Sequence, residues 1–212
     1  MADTGAISPG TMADDATVGT VAWTNPDNAK VSDSVYATAV VANTEITHYL
    51  KATNFGFVIP TGATINGILV EVEKKDTFGN SVVSADNAVR IIKGGVIGST
   101  DKSSLDHWLF AEAYKSYGSS TDLWGETWTA SDINDATFGF AISAKGINAS
   151  FSGSLKVDHI RITVYYTVPV TYTMDCLPAN YVFTGMNIAI KAPIQWATQS
   201  KNNATFTKQS KN

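Results

Sequence analysis

Trp108, Trp124 and Trp128 are the residues of this sequence whose type and spacing most directly indicate a binding chemistry. The flat face of an indole ring packs against the C–H face of a pyranose, so tryptophans gathered in one stretch can form a glycan-stacking platform. Carboxylates that would accept hydrogen bonds from sugar hydroxyls lie beside them, at Asp106, Asp122 and Glu126. The same pattern is typical of rings buried beneath a loop of a β-sandwich, and we favour that second interpretation.

Acidic pairs offer a second chemistry, because calcium takes six to eight oxygen ligands. Asp14 and Asp15 are adjacent, and Asp132 and Asp135 fall in a predicted turn. Neither pair has the regular D-x-D-x-D-G spacing of a calcium-binding loop. Asp132 is better placed to stabilise the first turn of a short helix through its charge. We predict no metal ion here, and loop-bound calcium remains the alternative.

The sequence has no recognisable catalytic motif. It contains no G-x-S-x-G elbow, no P-loop and no H-E-x-x-H. His48, His107 and His159 lie on separate predicted elements, so we expect no histidine metal site. Glu71 and Glu73 share a strand face, and paired carboxylates can hydrolyse glycosides, but a solvated strand face explains them better. We predict a protein with neither enzymatic activity nor a cofactor.

Composition restricts the fold class. Charged residues make up 16% of the 212 residues, whereas 25 are threonine and 16 are glycine. This excludes a disordered charged tail and a coiled coil, and the single Cys176, expected to be semi-buried, excludes a disulfide scaffold. The net charge of −4 argues against nucleic acid as a partner, because phosphate binding needs clustered cations. Apolar runs are too short to span a bilayer and the first residues carry no secretory pattern, so we expect no membrane partner and synthesis in a cytoplasm.

Alternating apolar residues predict a series of β-strands. The clearest covers 64–74, where Ile68, Val70 and Val72 share one face while Glu71 and Glu73 lie on the other. Further strands are predicted at 17–23, 34–42, 46–57, 88–93, 137–144 and 155–168. Strands at this spacing, without long helices between them, indicate an all-β antiparallel sandwich of the jelly-roll type.

Local irregularities are also predicted. A change of parity after Val157 indicates a bulge near Asp158, and Asn66-Gly67 indicates a bulge or tight bend. Residues 101–120 fit either a short helix, capped by Ser103 or Ser104, or an irregular loop with buried aromatics. Residues 130–135 predict one helical turn with Ser131 as its N-cap.

The chain is predicted to have three parts: an extended N-terminal arm at 1–16, a sandwich at 17–168 and an appendage at 169–212. The appendage is too small for its own core, so it should dock on the sandwich or on a neighbouring subunit. It contains a repeat, in which an aromatic residue is followed by Gln-Ser-Lys-Asn, at 196–202 and 206–212. We interpret the repeat as a hairpin that presents Trp196 and Phe206 as subunit contacts in a homo-oligomer.

Several segments carry a resemblance to a known group of proteins. They are SPGT at 8–11, VGTVAW at 18–23, YLKATNFGF at 49–57, LWGETWT at 123–129 and VDHIRITVYY at 157–166. Together they resemble virion structural proteins of tailed bacteriophages and prophages over residues 8–167. The resemblance implies a jelly-roll-like sandwich with a role in the virion, and it brings no catalytic residues.

We therefore expect a non-enzymatic structural protein of a tailed-phage virion, most simply an exterior head decoration or a fibre-type protein that contacts other virion proteins. The alternative is a carbohydrate-binding module of a tail fibre, which would use the three tryptophans to hold a host glycan. The resemblance does not specify the position within the particle.

Overall fold

The computed structural model describes residues 1–78, 84–147 and 152–169. The chain divides into two units, Met1–Thr171 and Tyr172–Asn212. The predicted hairpin repeat and the predicted subunit contacts at Trp196 and Phe206 lie outside the described residues.

The described chain is built almost entirely of strands, with two short helical segments. The strands are β1 (Ala2–Asp3), β2 (Thr11–Asp15), β3 (Ala37–Val41), β4 (Tyr49–Thr53), β5 (Thr64–Asp76), β6 (Ser84–Lys93), β7 (Val96–Ile97), β8 (Ala113–Ser119), β9 (Gly139–Gly146) and β10 (Gly153–Thr167). A 3₁₀ turn covers Pro26–Ala29 and the helix α1 covers Ala130–Asn134. The described part of the chain has no helix of the length and apolarity needed to cross a membrane.

The strands form two antiparallel sheets. In the first, the order is β1-β10-β5-β8, and β3 also pairs with β10. In the second, the order is β2-β4-β9-β6-β7. The predicted all-β antiparallel sandwich is confirmed.

Alternate side chains along most of β5 and β10, the two longest strands, are apolar and point into the core between the sheets. On β5 the inward side chains Ile68, Val70 and Val72 are fully enclosed, and on β10 Ile160 and Ile162 match them. The second sheet contributes a complementary set of apolar side chains, including Leu50, Ile91, Phe138, Phe140 and Ile142. Removing this apolar surface from water supplies the main driving force for folding.

Both predicted strand irregularities are confirmed. The pairing of β10 with β5 shifts by one residue between Val157 and His159, so Asp158 is the extra residue of a bulge. It shifts again between Tyr165 and Tyr166, which leaves Asn66 without a register partner. Because side chains alternate with a period of two, each bulge reverses which side chains face the core.

Residues 1–16, predicted to form an extended N-terminal arm, pair with both sheets of the sandwich. β1 pairs with the end of β10, and Ile7 bridges to Ile162. β2 then pairs along the full length of β4 in the other sheet. The segment thus covers an edge of each sheet, where unpaired backbone groups would otherwise be left open.

Three local predictions are decided by the structure. Residues 17–23 form no strand, and Thr20 and Val21 both donate their backbone N–H groups to the carbonyl oxygen of Ile46. Of the two alternatives for residues 101–120, the structure has the irregular loop with a buried aromatic, Trp108, over 101–112, and this loop leads into the unpredicted strand β8. Helix α1 is capped by Thr129 and not by Ser131.

Candidate functional site

Trp124 lies in the core of the sandwich. Its side chain is 0% exposed, and its Nε1 donates to the carbonyl oxygen of Ile68 at 3.0 Å. Its ring meets Phe140 edge-on at 6.2 Å between centroids. The chain reaches this position through a left-handed turn, with φ of 57° at Trp124 and 72° at Gly125. A ring enclosed in this way cannot stack on a sugar, so the predicted glycan-stacking role of Trp124 is wrong and its burial is confirmed.

Trp108 and Trp128 are also packed against other parts of the protein. Trp108 is 2% exposed and donates its Nε1 proton to Asp86 at 2.8 Å. Trp128 is half-buried and packs edge-on against Phe138 at 5.3 Å, while Lys93 lies over its ring. The three indoles therefore do not form an exposed platform, and the favoured interpretation, rings packed beneath a loop, describes Trp108 and Trp124.

Two of the three carboxylates that could assist such a platform, Asp106 and Asp122, are engaged with lysines. Asp106 pairs with Lys115 at 2.7 Å, and Asp122 pairs with Lys102 at 2.6 Å. Asp122 also accepts the backbone N–H of Trp124 at 2.8 Å, which holds the left-handed turn in place. These groups stabilise the loop around the tryptophans.

The acidic pair at Asp14 and Asp15 fastens β2 to its neighbours. Asp14 accepts hydrogen bonds from the backbone of Trp23 and from the ring of His48, both at 2.8 Å. Asp15 accepts from Lys51 at 3.1 Å. These protein donors already occupy the oxygens that the calcium alternative requires.

The second acidic pair acts at the ends of helix α1. Asp132 and Thr129 form a reciprocal capping box, in which Asp132 accepts the Thr129 backbone N–H at 2.8 Å. Asp135 accepts from both the backbone and the hydroxyl of Thr137. The structure thus agrees with the predicted helix-stabilising role of Asp132.

The histidines do not assemble into a metal site among the described residues. The two ring nitrogens of His159 contact the hydroxyls of Ser8 and Tyr114, each at 2.8 Å. His48 is paired with Asp14, and His107 lines a separate cleft.

The most prominent group of buried polar side chains surrounds Lys74 on the inward face of β5. Its Nζ donates to Asp86 at 2.6 Å and to the Tyr117 hydroxyl at 2.5 Å, and it lies 4.5 Å from the centre of the Trp108 ring. Asp86 also accepts from Tyr117 at 2.8 Å and from the backbone of Ser104 at 3.2 Å. Since Lys74 is on β5 and Asp86 is on β6, this ion pair joins the two sheets through the core.

Burial shifts the pKa values of Lys74 and Tyr117 in this group. It lowers the pKa of the Lys74 ammonium to about 8, against the attraction of Asp86. It also raises the pKa of Tyr117, and the Asp86 carboxylate adds to that rise. Analysis of the sequence did not identify Lys74, although its parity with Val72 places it on the inward face.

A cleft of about 180 Å³ opens beside Lys74, and Asp106, His107 and Lys115 lie on its wall. A lysine with a lowered pKa is a nucleophile in many enzymes. Here Asp86, Tyr117 and Trp108 all contact its Nζ, an arrangement that holds the two sheets together.

A second group of ionisable side chains lies on the outer face of the first sheet. It consists of Glu73 on β5, Asp158 at the bulge of β10 and Glu112 immediately before β8. Burial raises the pKa of Asp158 to about 6, while the Ser34 backbone N–H opposes this and the Glu112 carboxylate adds to it. The sequence signalled the bulge at Asp158 but gave no sign that Glu112 would join it.

Another cleft, of about 330 Å³, lies beside helix α1. Its walls carry small and uncharged side chains: Thr61, Gly62, Thr129, Ala130, Ser131 and Asn134. The Asn134 amide is committed to the backbone of Ile59, to which it both donates and accepts.

Comparison with known proteins does not assign a family to this chain. No family model matches the sequence, and no curated protein matches it. A solved structure titled "CBM4 structure and function" is similar over 71% of this chain and 92% of its own, at 12% sequence identity and a TM-score of 0.39. The described chain is an antiparallel β-sandwich.

Proposed function

We propose that this protein is a non-enzymatic structural component of a tailed-phage virion, positioned on the outside of the particle. The observation that carries the proposal is a surface of exposed apolar side chains beside the outer face of the first sheet. We call it the outer patch and define it as Val35, Tyr36, Leu109 and Phe110. Val35, Leu109 and Phe110 are each at least half exposed. Exposed apolar side chains gathered on one surface are typical of a protein–protein contact.

Cation–π contacts hold the two segments of the outer patch side by side. Lys75 lies 6.0 Å from the ring of Tyr36 and 5.7 Å from the ring of Phe110. Lys156, its register partner on β10, lies 5.0 Å from the ring of Tyr36. Two ammonium groups therefore border an apolar surface, which suits a neighbour that is itself acidic.

Charge supports a neighbouring copy or another acidic virion protein as that partner. The chain carries a net charge of −4, so copies of it repel each other unless a local basic surface offsets the repulsion. Lys75 and Lys156 supply such a surface at the outer patch. The resemblance of segments within 8–167 to tailed-phage proteins supports a virion as the place of assembly.

Particle composition tests this proposal. Virions from the strain that carries the gene are purified through a density gradient and analysed by mass spectrometry. We expect the protein in the particle fraction at a copy number comparable with known virion components. If the protein stays with soluble proteins while the virions are complete, the proposal is wrong.

Variants of the outer patch test its role. The double variant Leu109→Ser/Phe110→Ser should reduce incorporation into particles at least about tenfold, because it removes the apolar contact. Val96→Ser is the matched control, since Val96 is 70% exposed but lies on β7 at the edge of the other sheet. Equal incorporation of both variants would overturn the role of the outer patch.

Glycan binding is the second candidate, and the cleft beside helix α1 is the observation that favours it. Hydroxyl and small side chains line this cleft, and such neutral groups suit a sugar. On a glycan array, Ser131→Trp should abolish any binding because the indole fills the cleft. Binding by the wild-type protein that Ser131→Trp leaves unchanged would exclude this cleft.

A further inference from the structure

Three carboxylates from different parts of the chain converge on the outer face of the first sheet. Glu73, Glu112 and Asp158 each offer an oxygen, and these oxygens all lie within 4.8 Å of one another. The bulge at residue 158 brings Asp158 into this arrangement, because the extra residue interrupts the pairing of β10 with β5 directly beside Glu73.

The structure leaves one oxygen of each carboxylate enclosed and without a hydrogen bond. These atoms are Oε2 of Glu73, Oε1 of Glu112 and Oδ1 of Asp158. Asp158 is 1% exposed, so water cannot compensate its charge from the surface. Buried acceptors without partners are rare in folded proteins and indicate a missing ligand or proton.

The second oxygens hold the carboxylates in place from outside the cluster. Oδ2 of Asp158 accepts the backbone N–H of Ser34 at 3.1 Å, and Oε2 of Glu112 accepts the Tyr36 hydroxyl at 2.6 Å. Oδ1 of Asp158 and Oε1 of Glu112 are thus left for the cluster. Ser34 and Tyr36 belong to the segment that leads into β3, so a fourth part of the chain supports the arrangement.

The neighbouring basic groups are engaged elsewhere. Among the described residues, no ion pair includes a member of the cluster. Arg161 makes a two-bond contact with Glu71, at 2.8 and 3.1 Å. Lys75 and Lys156 lie over the Tyr36 ring. The cluster therefore collects negative charge that the described side chains do not neutralise.

We propose that Glu73, Glu112 and Asp158 bind a calcium ion. All three ligands are hard carboxylate oxygens, which favour calcium, magnesium or manganese over zinc or copper. Ligand atoms about 2.4 Å from a calcium ion lie at most about 4.8 Å apart, so three oxygens within 4.8 Å of one another can share one ion. Magnesium demands near-ideal octahedral geometry and usually keeps several waters, so a site built from three protein carboxylates favours calcium.

A calcium ion in this position would join four segments: β5, the bulge of β10, the chain before β8 and, through Ser34 and Tyr36, the chain before β3. The last two segments also carry the outer patch. The ion would therefore hold both parts of the outer patch in one geometry, but the site itself does not depend on the proposed virion role.

Calcium binding to the full-length protein tests the inference. Protein stripped with a chelator is titrated with calcium chloride by isothermal titration calorimetry, and parallel titrations use magnesium chloride. We expect one calcium ion per chain and at least tenfold weaker binding of magnesium. At a calcium concentration one hundred times Kd, Tm should rise by about 5–10 °C.

Single substitutions assign the site. Glu112→Gln should weaken calcium binding at least about tenfold, because it removes one charged ligand before β8 while leaving the strand ladders intact. Glu126→Gln is the control, because it removes one carboxylate from the loop beside Trp124, outside the cluster, and it should bind calcium as the wild type does. Asp158→Asn repeats the test at the bulge.

Two results would overturn the inference. One is the absence of calcium binding up to millimolar concentrations in folded protein. This result is most decisive if the double variant Glu73→Gln/Glu112→Gln also has a higher Tm than the wild type without any ion, because the three carboxyl groups then share protons instead of binding a metal. The other is calcium binding that Glu112→Gln and Asp158→Asn leave unchanged, which would place the ion elsewhere.

Discussion

Lys74 is the one buried lysine or arginine among the described residues. Transferring an ammonium and a carboxylate from water into a protein interior costs several kcal/mol per ion, and their mutual attraction offsets this only with close contact and further hydrogen bonds. Here Asp86 lies 2.6 Å away, and Tyr117 and Trp108 donate to the same carboxylate. Each member of the group therefore depends on the others.

Removing Lys74 alone should consequently destabilise the protein more than removing the pair. We expect Lys74→Met to lower the free energy of unfolding by about 3–5 kcal/mol, because Asp86 is left as an uncompensated buried charge. The double variant Lys74→Met/Asp86→Asn should lose less. Lys30→Met, which breaks an exposed pair with Asp27, should cost less than about 1 kcal/mol. Urea denaturation measures all three, and similar losses for Lys74→Met and Lys30→Met would contradict this account.

The same lysine should make the free energy of unfolding increase as the pH rises above about 8. Burial lowers the pKa of Lys74 from 10.5 to about 8 in the folded protein. Between these values the unfolded chain binds more protons than the folded one, so the contribution of Lys74 to stability rises with pH. Relative to Lys74→Met, the wild type should gain up to about 3 kcal/mol from pH 8 to pH 10.5. NMR titration of the Lys74 side chain should give a midpoint near 8, whereas a midpoint near 10.5 would refute the prediction.

At the scale of single residues, the sequence identified candidate site residues but not the partners that surround them in the fold. The spacing of the three tryptophans is compatible both with rings that face solvent and with rings that face the core. What buries Trp124 is a left-handed turn held by Asp122 and a carbonyl of β5, and these partners are distant in sequence. Glu112 joins Glu73 and Asp158 only because β8 pairs with β5, and the sequence did not predict β8.

At the scale of elements, periodicity predicted the long strands well. β5 and β10 were found with nearly their observed limits, and the bulge at Asp158 followed from a change in parity alone. Short edge strands and irregular segments were not predictable in this way, because partners far along the chain determine them. β8 reads Ala-Tyr-Lys-Ser-Tyr-Gly-Ser, with little apolar alternation, and its backbone bonds to β5 make it a strand.

The cap of helix α1 gives a direct test at this scale. The sequence predicted Ser131 as the N-cap, but the structure places Thr129 there, with its hydroxyl accepting the Asp132 backbone N–H at 3.1 Å. Thr129→Ala should therefore lower the free energy of unfolding by about 1 kcal/mol. Ser131→Ala should change it by less than about 0.5 kcal/mol, since Ser131 is exposed. Urea denaturation of the two variants decides between the caps, and the reverse order would restore the cap predicted from the sequence.

At the scale of the whole molecule, both sheets are completed within the first unit of the chain. β10 pairs with β1, β3 and β5, and it ends at Thr167. The N-terminal segment covers an edge of each sheet, and the Lys74–Asp86 pair joins them inside. Every described residue of the core belongs to Met1–Thr171. The unit Met1–Thr171 thus contains all the described strands and core residues.

A fragment that ends at Thr171 should accordingly fold by itself. We expect a dispersed NMR spectrum and a single cooperative urea transition, because the fragment retains the complete described core. If residues 172–212 serve assembly, as the Trp196 and Phe206 repeats predict, the fragment should be monomeric by light scattering while the full chain forms oligomers or binds particles. The full-length double variant Trp196→Ala/Phe206→Ala should then behave as the fragment does. A fragment that aggregates or unfolds without cooperativity would show that the sandwich needs its C-terminal residues. A fragment that still assembles would show that the outer patch suffices for assembly and that Trp196 and Phe206 are not required.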